Sequence, residues 1–351
     1  MERKMRPCDQ RGSILILSLW ALMLLTAFTV SLGYGVRQKA ALFERLDTLS
    51  ALYPAAYSGV EAARGLMKLD DLVPLTDCFN DSWAQSISSF KEVKVGDKAT
   101  FTVSYQKLNT EDKQPLTIYG MTDEQSKIGI NTADAQTLTR ILQLTGELDQ
   151  QTAEEIAYNI IDWRDSDSVF EHPNYGAEED YYSHLPVPYA AKNAPFEVID
   201  ELLLVKGINH PLFDKIKEFL TPFGSGVTNI NTASQETLLA LGLNELLVSK
   251  IMNYRKGDDK EDRTADDRFF SQSGSIAVEL NRVSAIDQSE KTTLDNLISV
   301  EKLGTISSQF MVKSRGVLNK NGAYVDMEAA VDRKGKVYYL RESSVQWPSK
   351  S

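Results

Sequence analysis

An uncharged apolar run dominates the start of the chain. No charged side chain occurs from Gly12 to Val36, and Ser13–Leu32 supplies 20 mostly apolar residues. At about 1.5 Å per residue this run forms about 30 Å of helix, which matches the core of a bilayer. Basic residues precede the run, at Arg3, Lys4, Arg6 and Arg11. The positive-inside rule therefore predicts a single-pass membrane protein with a cytoplasmic N-terminus and its body on the other side.

Helical spacing of apolar residues continues beyond the membrane run. The spaced positions are Leu42, Leu46, Leu49, Tyr53, Val60, Ala63 and Met67. This pattern predicts a helix that leaves the membrane and packs one face on a domain. Pro54 interrupts the pattern, and proline removes a helical hydrogen bond and clashes with the preceding turn. We expect either a kink or a helix boundary there.

Apolar and polar residues alternate in two regions that are far apart in the chain. Phe101, Val103 and Tyr105 alternate with polar neighbours, so residues 92–120 read as a short β region. Near the other end, residues 309–315, 323–331 and 336–340 are strand candidates separated by turn-rich segments. Together the two regions predict a half-buried antiparallel sheet.

Helical spacing prevails between these regions, over residues 128–303. The sequence therefore predicts an α+β fold whose sheet frame carries a large all-α insert. A weak repeat lies inside the insert, because Gly129–Ala133 recurs as Asn229–Ala233. Both copies continue to a Thr-Leu pair and end in an aromatic-Arg pair, Trp163-Arg164 and Tyr254-Arg255. A polar residue before an apolar-periodic run is typical of a helix N-cap, so the repeat indicates two similar helix starts.

The second copy also resembles the helix-hairpin-helix (SAM-like) motif of DNA-binding competence proteins. The alternative function is therefore a membrane-anchored protein for DNA binding or uptake. Such motifs hold a phosphate on a Gly-x-Gly turn, whereas residues 241–245 read Leu-Gly-Leu-Asn-Glu. Four acidic residues follow Arg255-Lys256, at Asp258, Asp259, Glu261 and Asp262. Phosphate binding would work against these like charges.

The distribution of charge also argues against a nucleic-acid partner. The formal net charge is -11, although residues 1–40 carry a local charge of about +4, which leaves about -15 on the rest. A body this acidic repels phosphate backbones and favours cations. The two cysteines, Cys8 and Cys78, do not make a disulfide framework, so packing must hold the fold together, with a metal as a further source of stability.

Carboxylates cluster at one place in the insert. Six of them lie within 16 residues, at Asp165, Asp167, Glu171, Glu178, Glu179 and Asp180. Oxygen-only clusters on loops suit Ca²⁺, which takes six to eight such ligands. The primary candidate ligands are Asp165, Asp167, Glu178 and Glu179, with Asp180 next. A solvated acidic loop is the other interpretation; zinc would need cysteines or a regular histidine spacing, which His172 and His184 do not give.

No motif for catalysis accompanies these carboxylates. The chain has neither a nucleophile motif nor a phosphate-binding loop. His210 is followed by Pro211, a pairing typical of a helix start rather than of a catalytic site. We therefore expect a protein that is not an enzyme.

Several segments resemble the K-type minor pseudopilins of bacterial type II secretion systems. Arg11-Gly12-Ser13 resembles a prepilin processing site, which is cut after the glycine. Leu17 would then be the fifth mature residue, where most prepilin-like subunits have a glutamate and the K-type member does not. Four pieces in order within residues 160–208 resemble the helical domain of this family: Ile161–Asp167, Gly176–Tyr182, Pro188–Phe196 and Glu201–Ile208.

The resemblance implies a domain order, which covers nearly the whole chain. The expected segments are a prepilin leader (1–12), a transmembrane and N-terminal helix (13–70), a β region (71–127), the helical insert (128–303) and C-terminal strands (304–351).

The resemblance also implies a role and partners. We expect a subunit at the tip of the pseudopilus, assembled with I- and J-type minor pseudopilins, that starts or caps assembly for export across the outer membrane. It implies bound calcium, processing by prepilin peptidase between Gly12 and Ser13, an inner-membrane anchor and a periplasmic body.

Overall fold

A computed structural model describes residues 11–70, 76–108 and 114–347 of the protein. Its helices are α1 Arg11–Asp70, α2 Ile87–Phe90, α3 Ala135–Gly146, α4 Gln150–Arg164, α5 Glu179–Ser183, α6 His210–Ile216, α7 Gln235–Ala240, α8 Glu245–Arg255, α9 Ile276–Val283 and α10 Gln288–Ser299. Its strands are β1 Val93–Val95, β2 Ala99–Val103, β3 Tyr105–Leu108, β4 Pro115–Ile118, β5 Thr122–Asp123, β6 Ile128–Gly129, β7 Leu220–Thr221, β8 Thr228–Asn229, β9 Leu303–Gly304, β10 Gln309–Leu318, β11 Tyr324–Asp332 and β12 Val337–Glu342.

Helix α1 has an exposed half and a buried half. Its apolar side chains are exposed from Ile14 to Leu46, and among the described residues it is the helix long and apolar enough to cross a membrane. From Leu52 onward one face is fully buried. Pro54 lies inside α1, so the helix does not end there. The part of the helix that follows the proline packs on the sheet, and this packing stabilises it.

That buried face of α1 packs on an antiparallel sheet. The strand order is β1-β2-β10-β11-β12, and β5 pairs with the free end of β10. Gly316 of β10 lies under α1, where a Cβ would stand 2.6 Å from the backbone nitrogen of Ala56. The missing side chain therefore lets helix and sheet approach closely. The α+β class with an antiparallel sheet frame is confirmed.

The insert contains two copies of one structural unit. Each begins with a two-residue strand in a parallel pair, β6 with β7 and β8 with β9. A helix hairpin follows, α3–α4 in the first copy and α7–α8 in the second. Asp134 and Ser234 cap the first helix of each hairpin by accepting from the amides of Thr137 and Thr237. The N-caps predicted from the repeat are therefore present in both copies.

The arginine at the end of each copy closes its unit. Arg164 donates to the carbonyl oxygens of Ile130 and Ala133, and Arg255 donates to those of Ile230 and Ala233. These carbonyl groups belong to the turn before the first helix of each hairpin. The arginine side chain supplies them with a hydrogen-bond donor. The recurring arginine is thus a structural residue in both copies.

The asparagine of each Asn-Thr-Ala turn holds a distant segment. Asn131 accepts from the backbone nitrogen of Phe196 and donates to its carbonyl oxygen, at 2.8 and 3.0 Å. Asn231 makes the same pair of bonds with Phe270, also at 2.8 and 3.0 Å. The loop between arginine and phenylalanine therefore starts and ends at equivalent places in the two copies.

Candidate metal site

Three carboxylates converge at one end of the first copy. Asp162 lies in the last turn of α4, Asp165 is its C-cap, and Glu178 precedes α5. One carboxylate oxygen from each residue lies within 4.8 Å of the other two. Positions three apart on a helix share a face, which is why Asp162 and Asp165 point the same way.

Three oxygens of these carboxylates have no hydrogen-bond partner among the described residues. Both oxygens of Glu178 and Oδ1 of Asp165 are buried without a hydrogen bond among the described residues. Only 3% of Glu178 is exposed. An ionised carboxylate in that position costs several kcal/mol unless a cation offsets it. The orphaned oxygens therefore fit a bound cation.

Asp162 shapes the loop around the cluster. Its Oδ1 accepts from the amide of Glu171 at 3.2 Å, and its Oδ2 accepts from the amide of Ala177 at 3.1 Å. Gly176 has a φ of +133°, and a Cβ there would stand 2.2 Å from Oδ2 of Asp162. The loop can close over Asp162 because Gly176 has no side chain.

Burial and like charges raise the pKa values of all three carboxyl groups. Burial, followed by repulsion from Asp162 and Asp165, raises the pKa of Glu178 to about 7. Burial raises the pKa of Asp162 to about 6 against the two backbone hydrogen bonds that lower it. Burial and the charge of Asp167 raise the pKa of Asp165. In each case burial, which disfavours the charged form, is the largest cause of the shift.

The predicted ligands divide into two groups. Asp165 and Glu178 belong to the cluster, and the charge of Asp167 acts on both of them, although its Oδ1 accepts from the amide of Val169 at 2.9 Å. Glu179 instead accepts from the amide of Ala191 at 2.8 Å, and the Asp180 side chain is 92% exposed beside His184.

Sequence reasoning missed Asp162. It precedes the run of six clustered carboxylates, which begins at Asp165. The spacing to Asp165, three residues on, was the signal that could have revealed it.

Neither histidine of this region joins the cluster. His172 packs against the rings of Tyr158 and Tyr175, with ring centroids 4.6 and 4.7 Å away. His184 is largely exposed and lies beside Asp180. A carboxylate-only donor set suits a hard cation such as Ca²⁺ rather than zinc.

The second copy lacks the surface that a DNA-binding hairpin needs. Arg255 is 5% exposed and is occupied by backbone carbonyls. Asn244 and Glu245, in the turn where a phosphate would bind, begin α8 with Asn244 as its N-cap. The alternative function of DNA binding is not favoured.

The processing positions lie at the start of α1. Residues 1–10 of the expected leader fall outside the described residues, and Gly12 and Ser13 lie in the first turn of the helix. Leu17 follows on the exposed apolar surface, with 69% of its area exposed. No carboxylate occurs in the apolar run around it.

The fold thus combines an antiparallel sheet with an N-terminal helix whose exposed apolar half is long enough to cross a membrane, which is a pseudopilin-like architecture. Residues 115–223 match the family model described as Type II secretion system (T2SS), protein K. This segment of the chain is therefore similar to the type II secretion system protein K family, in agreement with the resemblance seen in the sequence.

Two curated relatives carry that name. Type II secretion system protein K of Pectobacterium carotovorum subsp. carotovorum is 33% identical over 134 residues, which cover 36% of this chain and 40% of that protein. The protein K of Aeromonas hydrophila is 31% identical over 105 residues, which cover 28% of this chain and 31% of that protein. The matched segments thus span less than half of either relative.

One solved structure shares the fold over most of the chain. It is a chain of the GspK-GspI-GspJ complex from the type 2 secretion system of enterotoxigenic Escherichia coli. The TM-score is 0.61 at 17% identity, and the match covers 88% of this chain and 99% of that one.

Proposed function

We propose that the protein is a non-enzymatic subunit at the tip of the type II secretion pseudopilus, where it starts or caps assembly for export across the outer membrane. The observation that carries the proposal is the large insert on a pseudopilin-like frame. The insert occupies residues from β6 to β9, about half of the chain, and the frame strands lie on either side of it in sequence. A subunit this wide leaves little room for another copy above it.

The position of Leu17 supports the same placement. A subunit inside a filament pairs its carboxylate with the terminal amine of a neighbour, whereas a lone charge in hydrocarbon costs a few kcal/mol. Leu17 brings no such carboxylate. A subunit at the tip needs none, because no neighbour follows it.

The partners proposed are I- and J-type minor pseudopilins. Their support is the solved complex of similar fold, which contains a GspI and a GspJ chain beside GspK. The exposed apolar residues of α1 beyond the membrane run, Leu42, Phe43 and Leu46, offer a helical surface for such subunits. We also propose an inner-membrane anchor with a periplasmic body, and processing by prepilin peptidase.

Cross-linking tests the tip placement. The sequence has two cysteines, Cys8 and the buried Cys78, so a background with Cys8→Ala and Cys78→Ala allows single reporter cysteines. Leu46→Cys on α1 should cross-link to I- or J-type subunits and not to the major subunit. Val187→Cys, on the insert and 78% exposed, is the matched control and should reach no shaft subunit. Repeated cross-links from Leu46→Cys to major subunits would contradict the proposal.

We further propose that the cluster of Asp162, Asp165 and Glu178 holds Ca²⁺, with Asp167 beside it. The support is the set of buried carboxylate oxygens without partners. A bound cation would offset the repulsion between these groups and hold the loop to the end of α4. It would act on structure and not on a reaction.

A melting experiment tests the calcium proposal. For a site with a dissociation constant of about 0.1 mM, about 1 mM calcium adds about 1.4 kcal/mol of stability, which is a few degrees of melting temperature. The detergent-solubilised full chain is melted in calcium and in chelator. Asp165→Asn with Glu178→Gln should abolish the difference, and the exposed Asp180→Asn should keep it. An equal calcium response in wild type and double variant would contradict the proposal.

A further inference from the structure

The second copy of the repeated unit carries its own acidic loop. Residues 256–269 run from Arg255 to Phe270, just as residues 165–195 run from Arg164 to Phe196 in the first copy. Both phenylalanines are held by the equivalent asparagine of their copy. The loop 256–269 therefore stands in the place that the metal-site loop takes in the first copy.

The two loops differ in how their charges are balanced. In the second copy Lys107 pairs with Asp262 at 3.1 Å, and Arg268 pairs with Asp258 at 2.7 Å. Asp266 accepts from two backbone amides, those of Asp258 and Asp259. In the first copy Glu178 has no such partner. The carboxylates of the second loop thus form ion pairs with protein cations, whereas the buried Glu178 of the first loop has no hydrogen-bond partner among the described residues.

One of these cations comes from the frame. Lys107 lies on β3, which forms a two-stranded hairpin with β4 outside the main sheet. The charge of Lys107 holds the pKa of Asp262 below its usual value, although burial alone would raise it. The pair is thus a partly buried contact between insert and frame, where screening by water is reduced.

Arg263 strengthens the same contact. Its Nη2 donates to the hydroxyl of Tyr105 at 2.5 Å, and its guanidinium lies 3.9 Å from the ring centroid of Phe79. Lys107 and Arg255 also approach this ring, at 5.9 and 5.5 Å. Three cationic groups therefore lie within cation–π distance of the Phe79 ring: Arg255 and Arg263 from the insert and Lys107 from the frame.

Little space remains inside the contact. The cavity beside Arg255, Asp262 and Asp267 has a volume of about 10 Å³, which admits about one water molecule. The contact is therefore closed by protein groups and leaves no room for a hydrated metal ion.

We propose that loop 256–269 is an ionic latch that fastens the insert to the β3–β4 hairpin of the frame without a metal. Its cations are Lys107 and Arg263, and both contact the ring of Phe79. The latch goes beyond the tip function and is independent of the calcium proposal. It fixes the orientation of the insert in calcium and in its absence, whereas the metal site secures the first loop alone.

Hydrogen exchange of the full chain in detergent, in calcium and in chelator, tests the latch. The variant Lys107→Met with Asp262→Asn should speed exchange about tenfold in residues 257–269 and 105–108 under both conditions. Exchange in residues 165–178 should stay as in wild type. Lys94→Met, exposed on β1, is the matched control and should change neither region. Tyr105→Phe removes a single hydroxyl and should give a smaller acceleration at the same sites.

The outcomes separate the two proposals. Unchanged exchange at 257–269 in the double variant and in Tyr105→Phe, or faster exchange only in chelator, would overturn the latch. If the calcium proposal is wrong, the exchange rate in residues 165–178 should be the same in calcium and in chelator.

Discussion

Asn229 donates its side-chain amide to the carboxylate of Asp123 at 3.1 Å, and this buried bond joins the second copy of the insert to the sheet. The same amide lies 3.1 Å from the carbonyl oxygen of Asp77 and 3.0 Å from the hydroxyl of Ser307. Asp123 also accepts from the hydroxyls of Thr232 and Ser307. Since every member is buried, each bond made here avoids a costly orphan.

Replacing Asn229 should destabilise the whole protein. Asn229→Ala leaves the Asp123 carboxylate and the neighbouring carbonyl short of a donor, so we expect a loss of about 2–4 kcal/mol in the free energy of unfolding. Urea denaturation of the full chain in detergent measures it. Asn253→Ala is the control, since Asn253 is exposed and its side chain donates to Ser249, and should stay within about 0.5 kcal/mol. Equal losses in the two variants would contradict this role.

Gly176 should be required for the metal site. Gly176→Ala places a Cβ against Asp162 at a φ that other residues rarely adopt, so the loop must open and calcium affinity should fall at least about tenfold. Calcium titration of the full chain measures it. Gly274→Ala is the matched control, because nothing lies within 4 Å of a Cβ there. Unchanged affinity in Gly176→Ala would show that the loop does not need to close on Asp162.

Arg255, the arginine of the second copy, should contribute to the stability of the fold and not to DNA binding. Arg255→Met keeps the length of the side chain but removes the donors to Ile230 and Ala233, so we expect a loss of about 2–4 kcal/mol. Denaturation measures it, with the exposed Arg282→Met as the control. A stable Arg255→Met variant, or binding to duplex DNA at physiological salt that it abolishes, would revive the alternative function.

Processing can be tested at Gly12. A bulky side chain beside the scissile bond should block the peptidase, so Gly12→Val should retain the leader, whereas wild type should begin at Ser13. Mass spectrometry of the N-terminus distinguishes these forms. Gly33→Val, further along α1 with open space around it, serves as the control and should be processed normally. A wild-type N-terminus other than Ser13 would contradict the prepilin interpretation.

The sequence predicted the elements whose signal is local. Alternation in residues 323–331 and the recurring Asn-Thr-Ala turn depend on neighbouring residues, and both correspond to what the structure contains. The burial and hydrogen bonding of Arg255 could not be predicted, because its partners are the carbonyls of Ile230 and Ala233, more than 20 residues earlier in the chain. A charged side chain at a helix end looks the same whether it is solvated or buried.

The place of the carboxylate cluster was predictable from the sequence, but its members were not. Clustered carboxylates in residues 165–180 marked the loop, yet the direction of each side chain depends on folding contacts. Glu178 and Glu179 are adjacent, and one faces the cluster while the other bonds to Ala191. The second acidic run had the same appearance in sequence. Its neutralising Lys107 lies about 150 residues away, in another element, and no local pattern could supply it.

Without calcium, the protein should lose stability as the pH rises. The pKa of Glu178 is about 7 in the folded state and is raised from an ordinary value of 4.5, so the folded chain binds this proton more tightly than the unfolded chain. Its contribution to stability is therefore complete below about pH 4.5 and is lost as the pH passes through 7. The loss should be on the order of 2 kcal/mol, and Asp162 should add to it between about pH 4 and 6.

Calcium should reverse that dependence, because the cation favours the ionised carboxylates and competes with protons for them. The increase in melting temperature on adding calcium should accordingly be larger at pH 8 than at pH 5. Melting curves of the full chain at both pH values, in calcium and in chelator, measure this difference. Glu178→Gln carries no titratable group at that position, so its melting temperature in chelator should fall less between pH 5 and 8. If wild type and Glu178→Gln lost the same stability over this range, the buried carboxyl group would not be the source of the effect.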